Sequence, residues 1–419
     1  MADIILVTHW TGGDVFPIIT LGNILVNRNH HVTILTHCYY KDIAHQHNLK
    51  FCAIDTPEEF EQMNNDLHML ANPVKDTQAT IYFNKKYHGK DKLLHEVEKI
   101  KSICTRKKKT IIIGRHRSSV SSLLAAEVLG LPYASIVLAP NYLDHMNLHN
   151  EIFGENMTEE INKARQTLQL APISDWKDWL YCPKKIFGIW PEWFAKPEEN
   201  WPSSLVPIGF LQKKHHNSDD VNDILKPVIH SGKKIALITA GTSKMINPDF
   251  FKVAATACSK VNCKAILLLR HDELCPETLP GNIIRIKKAD LGYLMTKANV
   301  IIHHGGIGTL SEAIMAGIPQ IILPHLTDGP DNAFRIQNLG LGKLFPILRW
   351  DAAKIAETLD DMLFKNNYKN VALYSQKLKM EQDNQNWIHL IEEMENPAAN
   401  MEKRLKQLEN KKEIRRIAT

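Results

Sequence analysis

Short apolar runs alternate with longer amphipathic stretches along most of this chain. Near the start, one apolar run leads into a glycine turn, a stretch with helical periodicity and a second apolar run. That order is typical of a strand–helix–strand unit, in which the two strands are parallel. The same order returns before residue 140, where a helix of small residues ends at Gly130. The predicted strands are residues 4–7, 32–35, 110–113 and 133–138, and the predicted helices are residues 18–26 and 118–129.

The alternation stops at a polar segment and then starts again. Residues 213–220 read Lys-Lys-His-His-Asn-Ser-Asp-Asp, which is typical of an exposed linker. Two α/β lobes joined in this way face each other across a cleft, and open parallel sheets bind ligands beyond the carboxyl ends of their strands. The later strands are predicted at 235–239, 265–269, 300–303 and 320–323, and the later helices at 250–260, 290–296 and 310–315. The predicted domains are an N-terminal lobe at 1–207, a linker at 208–224, a C-terminal lobe at 225–380, and a helical tail at 381–419 packing back toward the N-terminal lobe.

Composition excludes several classes of protein. A chain of 419 residues is too long for one ordinary core, and its 51 basic residues nearly match 46 acidic ones, so a nucleic-acid partner is not expected. The seven cysteines contain no C-x-x-C pair and are odd in number, so we expect no zinc site, no disulfide framework and a cytoplasmic location. The N-terminus lacks the pattern of a signal peptide, and no run approaches the roughly 18 apolar residues that span a bilayer.

The tail ends in two basic segments, residues 403–406 and 411–416. A basic helix can lie on an anionic membrane, which would make any membrane contact peripheral. Its apolar residues Met401, Leu405 and Leu408 form only a thin stripe, however. A solvated terminal helix is therefore favoured over a lipid-contacting one, and both interpretations remain open.

The clearest chemical signal follows the predicted strand at 300–303. His304 is followed by three glycines within four residues, and then by a predicted helix. The amides at a helix start bind anions, and glycine lets the backbone approach phosphate oxygens closely. Thr309 can cap the helix or donate its hydroxyl, and Glu312 falls one turn later, suitably placed for ribose hydroxyls. The alternative is a plain glycine turn beside a core histidine.

At this point the sequence resembles glycosyltransferase family 1. The spacing of a histidine, a glycine turn, a glutamate, an Ala-Gly-x-Pro segment and a later acidic residue matches that family's sugar-nucleotide site. The matching residues are His304, Glu312, Ala316, Gly317, Pro319, Pro324, Asp328 and Asn332. The likeness is to the bacterial branch with sterol and macrolide glycosyltransferases and the rhamnosyltransferase of rhamnolipid synthesis.

The resemblance implies the GT-B architecture, with two Rossmann-like, doubly wound lobes. It also implies that His304 and the amides from Gly306 to Thr309 hold a diphosphate, Glu312 the ribose and Asp328 the sugar hydroxyls. The residues predicted to bind the donor are Gly13, Gly241, Thr242, Ser243, Lys288, Ala289, His304, Gly306, Ile307, Gly308, Thr309, Glu312, Asp328 and Asn332.

Two departures from the family pattern concern the identity of the donor. Gly329 stands where the family has a glutamine after the acidic residue, so one sugar-hydroxyl contact is missing. Lys288 stands where the family usually has an aromatic residue that stacks on the base, although the backbone of Ala289 can still read a base edge. A UDP- or dTDP-sugar is the expected donor.

On the acceptor side, the turn after the first strand contains Asp14. Glycosyl transfer requires deprotonation of the acceptor hydroxyl, and a carboxylate at the mouth of this turn can serve as the base. The resemblance favours Asp14 in that role, while helix capping is the alternative. His9 is a weaker candidate base and is predicted to be an interior histidine. No His–Asp pair is evident from the sequence, and residues 114–117 are interpreted as a solvated loop rather than a site for an acidic acceptor.

Five tryptophans between residues 176 and 201 suit either an apolar acceptor wall or packing between segments. The remaining patterns exclude a nicotinamide dehydrogenase and a Walker-type phosphotransferase, whose glycine motifs are missing. No D-x-D occurs, so no metal or other cofactor is expected, and fixed donors must stabilise the leaving diphosphate. The expected partners are a nucleotide sugar and a small acceptor. A nucleotide-sugar 2-epimerase and a non-catalytic binding protein are the alternatives.

Overall fold

The computed structural model describes residues 1–70, 73–105, 109–212, 219–243, 245–365, 368–384 and 387–395. Within these residues the chain forms two parallel β-sheets, each flanked by helices. In each sheet the first strand along the chain lies in the interior, and the strands that follow it lie on both sides of it. This is the doubly wound arrangement. The predicted α/β fold with two Rossmann-like lobes is confirmed.

The N-terminal lobe contains a sheet of seven described strands in the order β3-β2-β1-β4-β5-β6-β7. Its strands are β1 (Asp3–Val7), β2 (His31–Thr36), β3 (Lys50–Ala53), β4 (Thr110–Arg115), β5 (Tyr133–Val137), β6 (Ile186–Gly188) and β7 (Leu205–Pro207). Its helices are α1 (Gly12–Val26), α2 (Lys41–Gln46), α3 (Pro57–Asp66), α4 (Thr77–His88), α5 (Lys90–Ile103), α6 (Val120–Leu129), α7 (Asn141–Asp144), α8 (Met146–Thr167) and α9 (Trp176–Leu180).

The C-terminal lobe contains a sheet of six described strands in the order β10-β9-β8-β11-β12-β13. Its strands are β8 (Ile235–Thr239), β9 (Lys264–Leu268), β10 (Ile283–Ile286), β11 (Val300–His303), β12 (Gln320–Ile322) and β13 (Gly342–Leu344). The helices are α10 (Asp219–Ile229), α11 (Asp249–Ser259), α12 (Leu291–Met295), α13 (Ile307–Ala316), α14 (Gly329–Asn338), α15 (Ala352–Phe364), α16 (Asn370–Asn384) and α17 (Ile388–Glu392).

The continuous apolar runs of the sequence become the central strands of both sheets. Ile111, Ile112 and Ile113 of β4 are all buried, although successive side chains point to opposite faces of the sheet. A strand with both faces covered has no solvent side, so it needs no polar alternation. In each sheet the strand order reverses between two central strands, β1 and β4 in one sheet and β8 and β11 in the other. The continuous apolar runs explain why the limits of these strands were predicted within one or two residues.

The two lobes are held together by an apolar cluster to which both contribute. Trp190 and Phe194 of the N-terminal lobe pack in it with Leu310 and Ile336 of the C-terminal lobe. At its margin, Arg335 on α14 pairs with an aspartate of α7, with 3.0 Å between Nη2 and the carboxylate oxygen. The relative position of the lobes is therefore fixed by burial as well as by the connecting chain.

The last described helix returns to the N-terminal lobe. Ile388 and Ile391 of α17 are buried in the cluster that contains Ile4 and Leu6 of β1. Residues 387–395 therefore pack against the N-terminal lobe, whereas the rest of the predicted tail, with its basic segments, lies outside the described residues. No helix in the described part of the chain has both the length and the apolar composition needed to cross a bilayer.

Some predicted boundaries are wrong at helix starts. Helix α1 begins at Gly12 rather than at residue 18, because Asp14 caps its first turn despite the glycines and Pro17 there. Helix α13 begins at Ile307 rather than at 310, which adds the three amides of residues 307–309 to the start of the helix beside the glycine loop. The predicted linker at 208–224 extends too far, since α10 already begins at Asp219, and residues 213–218 lie outside the described part.

The shared apolar cluster gives a test of the fold. Leu310 is fully buried between the lobes, so Leu310→Ala should lower the free energy of unfolding by about 2–5 kcal/mol. Leu348 is 96% exposed, so the same change there should alter stability by less than about 0.5 kcal/mol. Urea denaturation of both variants measures the difference, and equal effects would contradict the described packing.

Candidate active site

The carboxyl ends of the two sheets meet at their switch points, which are the places where the strand order reverses. In the N-terminal lobe the switch lies between β1 and β4, and in the C-terminal lobe between β8 and β11. Gly12, at the start of α1, lies directly against the turn after β8. A Cβ atom on Gly12 would lie 2.8 Å from Oγ1 of Thr242 and 2.7 Å from the ring of Phe16, so a larger residue would fit only if these side chains moved.

The glycine-rich turn after β11 has the backbone geometry expected of an anion cradle. Gly305 has a φ of +93°, and a Cβ there would lie 2.7 Å from the carbonyl oxygen of Gly329, so this position requires glycine. Gly306 then caps α13, whose first amides at Ile307 and Gly308 have no preceding helical turn to bond to. A Cβ on Gly308 would meet no atom within 4 Å, which leaves space above these amides.

Asn332 of α14 holds this turn in place through hydrogen bonds of its side chain. Its Nδ2 donates to the carbonyl oxygen of Gly305 at 2.9 Å and to a carboxylate oxygen of Asp328 at 2.7 Å. Its side chain is fully buried, and these two bonds position the loop. Its role in donor binding stays a prediction.

The two consecutive histidines have different roles. His303 is a core residue: its Nδ1 accepts from the amide of Gly305 at 3.2 Å, and its Nε2 donates to Gln320 at 3.0 Å. His304 lies between the two glycine turns, and a Cβ on Gly241 would approach its ring to 3.0 Å. Burial lowers the pKa of His304 to about 4, and His325 contributes to this effect. The ring is thus neutral near pH 7 and can donate one hydrogen bond.

The turn after β8 lies beside His304 because His303 pairs with Thr239 in the sheet. Gly241 has a φ of +80°, and Gly241 and Thr242 are exposed while Ser243 is half-buried. The structure thus brings together the predicted diphosphate residues of both turns. Each turn supplies small groups rather than bulky side chains.

The remaining predicted donor residues surround this cradle. Glu312 is half-buried one turn along α13, Thr309 is buried in the first turn, Ala289 is half-buried and Lys288 is exposed in the loop after β10. Asp328 accepts from the hydroxyl of the preceding threonine at 3.0 Å as well as from α14. Burial raises the pKa of the Asp328 carboxyl, and the negative charge of Asp14 across the cleft raises it further.

Asp14 lies after β1, in the first turn of α1, at the switch point of the N-terminal lobe. Its Oδ2 accepts from the amide and the hydroxyl of Thr11, both at 3.1 Å, which is the capping role considered from the sequence. Its Oδ1 is 2.7 Å from Nη2 of Arg115 at the end of β4. Gly13 lies exposed beside it in the same turn. The carboxylate is oriented by three donors and is still partly open to the cleft.

The interpretation of residues 114–117 as a solvated loop is wrong. Arg115 and His116 are buried and Arg117 is half-buried. Both guanidinium groups lie over the ring of Tyr142, at 5.3 Å for Arg115 and 5.2 Å for Arg117. Sequence reasoning missed this because nothing local indicates that α7 covers the turn.

His9 is an interior histidine, as predicted, but its partner was not foreseen. Its Nε2 lies 3.0 Å from both carboxylate oxygens of Glu96 on α5, and its Nδ1 lies 3.2 Å from Oγ of Ser119. Burial alone would raise the pKa of Glu96, but His9 and the hydroxyl of Ser121 outweigh it and lower the pKa to about 2. Because this pair faces the interior, His9 is not placed to act as a base.

A second buried pair joins His37, at the end of β2, to Asp55, with 2.6 Å between Nδ1 and the carboxylate. The amide of Trp10 donates to the other ring nitrogen of His37 at 2.8 Å. Trp10 has a φ of +79° and lies against Phe83 and Tyr87. An aromatic surface therefore borders the cleft next to Asp14.

The tryptophan-rich segment does not form an acceptor wall. Trp176, Trp179, Trp190 and Trp201 are all buried, and they pack within the N-terminal lobe or between the lobes. Trp193 donates to Glu381 of α16 at 2.8 Å. Of the two interpretations made from the sequence, packing is the correct one.

A surface hollow of about 630 Å³ lies outside the cleft, between α4 and α5. Lysines such as Lys86, Lys90 and Lys99 line it together with several carboxylates. Lys92 in its wall already pairs with Glu59 at 2.6 Å, so acids of the wall neutralise part of this charge. The hollow is distinct from the switch points that carry the predicted site residues.

Two facing doubly wound lobes with an anion cradle at their junction define the GT-B class of fold. Residues 4–145 match the model of the glycosyltransferase family 28 N-terminal domain, and residues 255–386 match that of the erythromycin biosynthesis protein CIII-like C-terminal domain. The chain belongs to the GT-B glycosyltransferases, in the group that contains the sterol and macrolide enzymes.

Curated relatives agree with this assignment. The chain is 24% identical to a sterol 3-beta-glucosyltransferase of Saccharomyces cerevisiae, over 84% of this chain and 32% of that protein. It is 26% identical to the O-mycaminosyltylonolide 6-deoxyallosyltransferase of Streptomyces fradiae, over 52% of each chain. The chain thus spans about a third of the yeast relative and about half of the bacterial one.

Solved structures share the fold at low sequence identity. The glycotransferase of kitacinnamycin superposes with a TM-score of 0.72 at 16% identity, covering 94% of this chain and 98% of that one. The glycosyltransferase VinC in complex with dTDP gives a TM-score of 0.64 at 15% identity, covering 94% and 100%. These likenesses support the two-lobed fold.

Buried neutral histidines predict how stability depends on pH. Burial lowers the pKa of His88, His116 and His303 to about 3, from an ordinary value of 6.5. Between those values the unfolded chain binds more protons than the folded one, so stability falls as the pH falls below 6.5. Each such histidine contributes up to about 1.4 kcal/mol per pH unit. Urea denaturation between pH 7 and pH 5 measures the decline.

His303→Gln should make this decline shallower, because it removes one of the titrating groups. His230→Gln, at an exposed position of the same lobe, should leave the slope unchanged. A free energy of unfolding that is flat between pH 6.5 and pH 5 would show that these histidines are not held neutral.

Proposed function

We propose that this protein transfers a sugar, without a metal ion, from a nucleotide-diphosphate donor to a hydroxyl group of a small, apolar or lipid-like acceptor. The observation that carries the proposal is the arrangement at the switch points. The anion cradle at α13 in one lobe faces the oriented carboxylate of Asp14 in the other. The names of the relatives, which describe sterol and macrolide-related glycosyl transfer, support the same class of reaction.

The donor half of the proposal follows from the cradle. The amides of Ile307 and Gly308 and the neutral ring of His304 supply hydrogen-bond donors fixed in advance of the reaction. Such donors stabilise the charge that develops on a leaving diphosphate without reorganising during the step. Glu312 is expected to bind the ribose and Asp328 the sugar. A UDP- or dTDP-sugar remains the expected donor, and VinC, of the same fold, is described in complex with dTDP.

The acceptor half rests on Asp14. As the acceptor oxygen attacks the anomeric carbon, its proton passes to the Asp14 carboxylate, and the bond from that carbon to the diphosphate breaks. Attack from the face opposite the leaving group inverts the configuration. Thr11 and Arg115 hold the carboxylate in one orientation, so the proton acceptor is positioned before the acceptor binds.

Nucleotide binding can be tested before the donor is known. A panel of nucleoside diphosphates should include one that raises the melting temperature, since a ligand at 100 times its Kd adds about 2.7 kcal/mol. His304→Ala should weaken the binding of that nucleotide by about 10- to 100-fold, because a hydrogen bond to a charged group is lost. The exposed change His230→Ala is the matched control. The donor assignment fails if no nucleotide stabilises the protein.

The role of Asp14 can be separated from donor binding. Asp14→Asn should reduce transfer by about 100- to 10,000-fold, the usual contribution of a general base, while the nucleotide-induced shift remains. Asp42→Asn, at an exposed site of the same lobe, should retain full activity. Transfer is followed by mass spectrometry over a screen of donors and acceptors.

Near-native transfer by Asp14→Asn would remove Asp14 from the mechanism. Conversion of a sugar nucleotide without any acceptor would identify a 2-epimerase instead. Nucleotide binding with no turnover of any donor would identify a non-catalytic binding protein.

A further inference from the structure

A cluster of polar side chains surrounds Arg117 on the acceptor side of the cleft. We call it the Arg117 cluster, and its members are Arg117, His116, Tyr142, His149 and Tyr181. They come from the end of β4, from α7 and α8, and from the residue after α9. The rings of His116 and Tyr181 stack at 5.8 Å with 29° between their planes.

The charge of Arg117 is not neutralised by an acid of the described chain. Its neighbour Arg115 is paired with Asp14 at 2.7 Å, whereas the guanidinium group of Arg117 makes no ion pair or hydrogen bond to any described residue. The carbon of the guanidinium group lies 5.2 Å from the centre of the Tyr142 ring. Arg117 is half-buried, so part of the residue is exposed to solvent.

The neighbours of Arg117 have unused hydrogen-bonding capacity. His116 is 4% exposed, and neither of its ring nitrogens has a partner in the described residues. The same holds for Nδ1 of His149 and for the hydroxyl of Tyr181. Buried polar atoms in folded proteins are nearly always hydrogen-bonded, so several exceptions around one cation indicate a ligand site.

The ionisation states in the cluster favour a singly or doubly charged anion. Burial lowers the pKa of Arg117 to about 10, which leaves it protonated near pH 7. Burial lowers the pKa of His116 to about 3 and that of His149 to about 2, so both rings are neutral. One cation with neutral donors around it matches a carboxylate or a phosphate group.

The position of the cluster assigns this anion to the acceptor. The guanidinium groups of Arg115 and Arg117 lie over the same ring, that of Tyr142, and Arg115 contacts Asp14. Tyr142 and Arg115 therefore connect a site at Arg117 to the carboxylate of Asp14. The donor diphosphate is assigned to α13 in the other lobe, so Arg117 is not needed for it.

We propose that Arg117, with His116 and Tyr181, binds an anionic group of the acceptor, so that the acceptor is a hydroxylated acid bearing a carboxylate or a phosphate group. This inference rests on the proposed function, and it narrows the acceptor to one chemical class. Arg117 orients the acid so that its hydroxyl reaches Asp14. Straight-chain hydroxy acids of increasing length, their methyl esters and the corresponding alkyl phosphates are suitable probes.

Calorimetry of acceptor binding tests this without requiring turnover. The wild-type protein should bind at least one hydroxy acid or alkyl phosphate more tightly than its neutral counterpart. Arg117→Gln should weaken the binding of the anionic probe by about 10- to 100-fold and leave the binding of the ester unchanged. The substitution removes the positive charge but keeps a polar side chain of similar shape. Arg117→Lys should retain part of the affinity. Arg28→Gln, an exposed arginine of the same lobe, should behave as wild type.

The outcomes separate this inference from the proposed function. Equal binding of acid and ester, equal loss of both in Arg117→Gln, or no binding of any anionic probe would overturn the inference even if a nucleotide binds. Binding of inorganic phosphate alone, with no gain from the attached chain, would also overturn it. A failure of every nucleotide to bind would instead reject the proposed function. The nucleotide-induced shift of each variant also shows that it is folded.

Discussion

The close approach of α1 to the turn after β8 is the constraint on which the rest of the site depends. Gly12 leaves no room for a Cβ atom beside Thr242, and this contact lies where the switch points of both sheets face each other. The apolar cluster shared by the lobes holds them at this distance. Asp14 and the start of α13 therefore belong to one site, although nearly 300 residues of sequence separate them.

The charged groups of this site are balanced by burial and by ion pairing. His304 is kept neutral by burial, and the pKa of Asp328 is raised by burial and by Asp14. Asp14 is balanced by Arg115, which leaves Arg117 as a cation with no acidic partner in the described chain. The two lobes thus differ in character. The C-terminal lobe has helix-start amides and a neutral histidine ring at the cleft, whereas the N-terminal lobe has a carboxylate paired with one arginine beside a second arginine.

Local patterns predicted the parts of this arrangement that local physics determines. The apolar runs gave β8 and β11 with their observed limits, because a strand buried on both faces needs an uninterrupted run. The glycine turn after β11 was recognisable because only glycine tolerates the φ of Gly305 and the contact there. Asp14 followed from its place after a strand, and the structure adds that capping and ion pairing act on the same carboxylate.

Contacts between distant segments were not predictable in this way. Glu96 reaches His9 from a helix 87 positions away, and no spacing rule connects them. The segment 114–117 was misinterpreted because basic turns are usually exposed, while here α7 and α8 cover it. Asn332 was placed at the donor by resemblance, and its bond to the glycine loop, 27 positions away, could not be predicted from spacing. Each case depends on which surfaces the fold brings together.

The most direct test of the central claim is a crystal structure of the protein with a bound nucleoside diphosphate. The diphosphate should lie within hydrogen-bonding distance of the amides of Ile307 and Gly308 and of the His304 ring, opposite Asp14. A diphosphate bound away from this cradle, for instance in the lysine-lined hollow beside Lys86 and Lys99, would contradict the account.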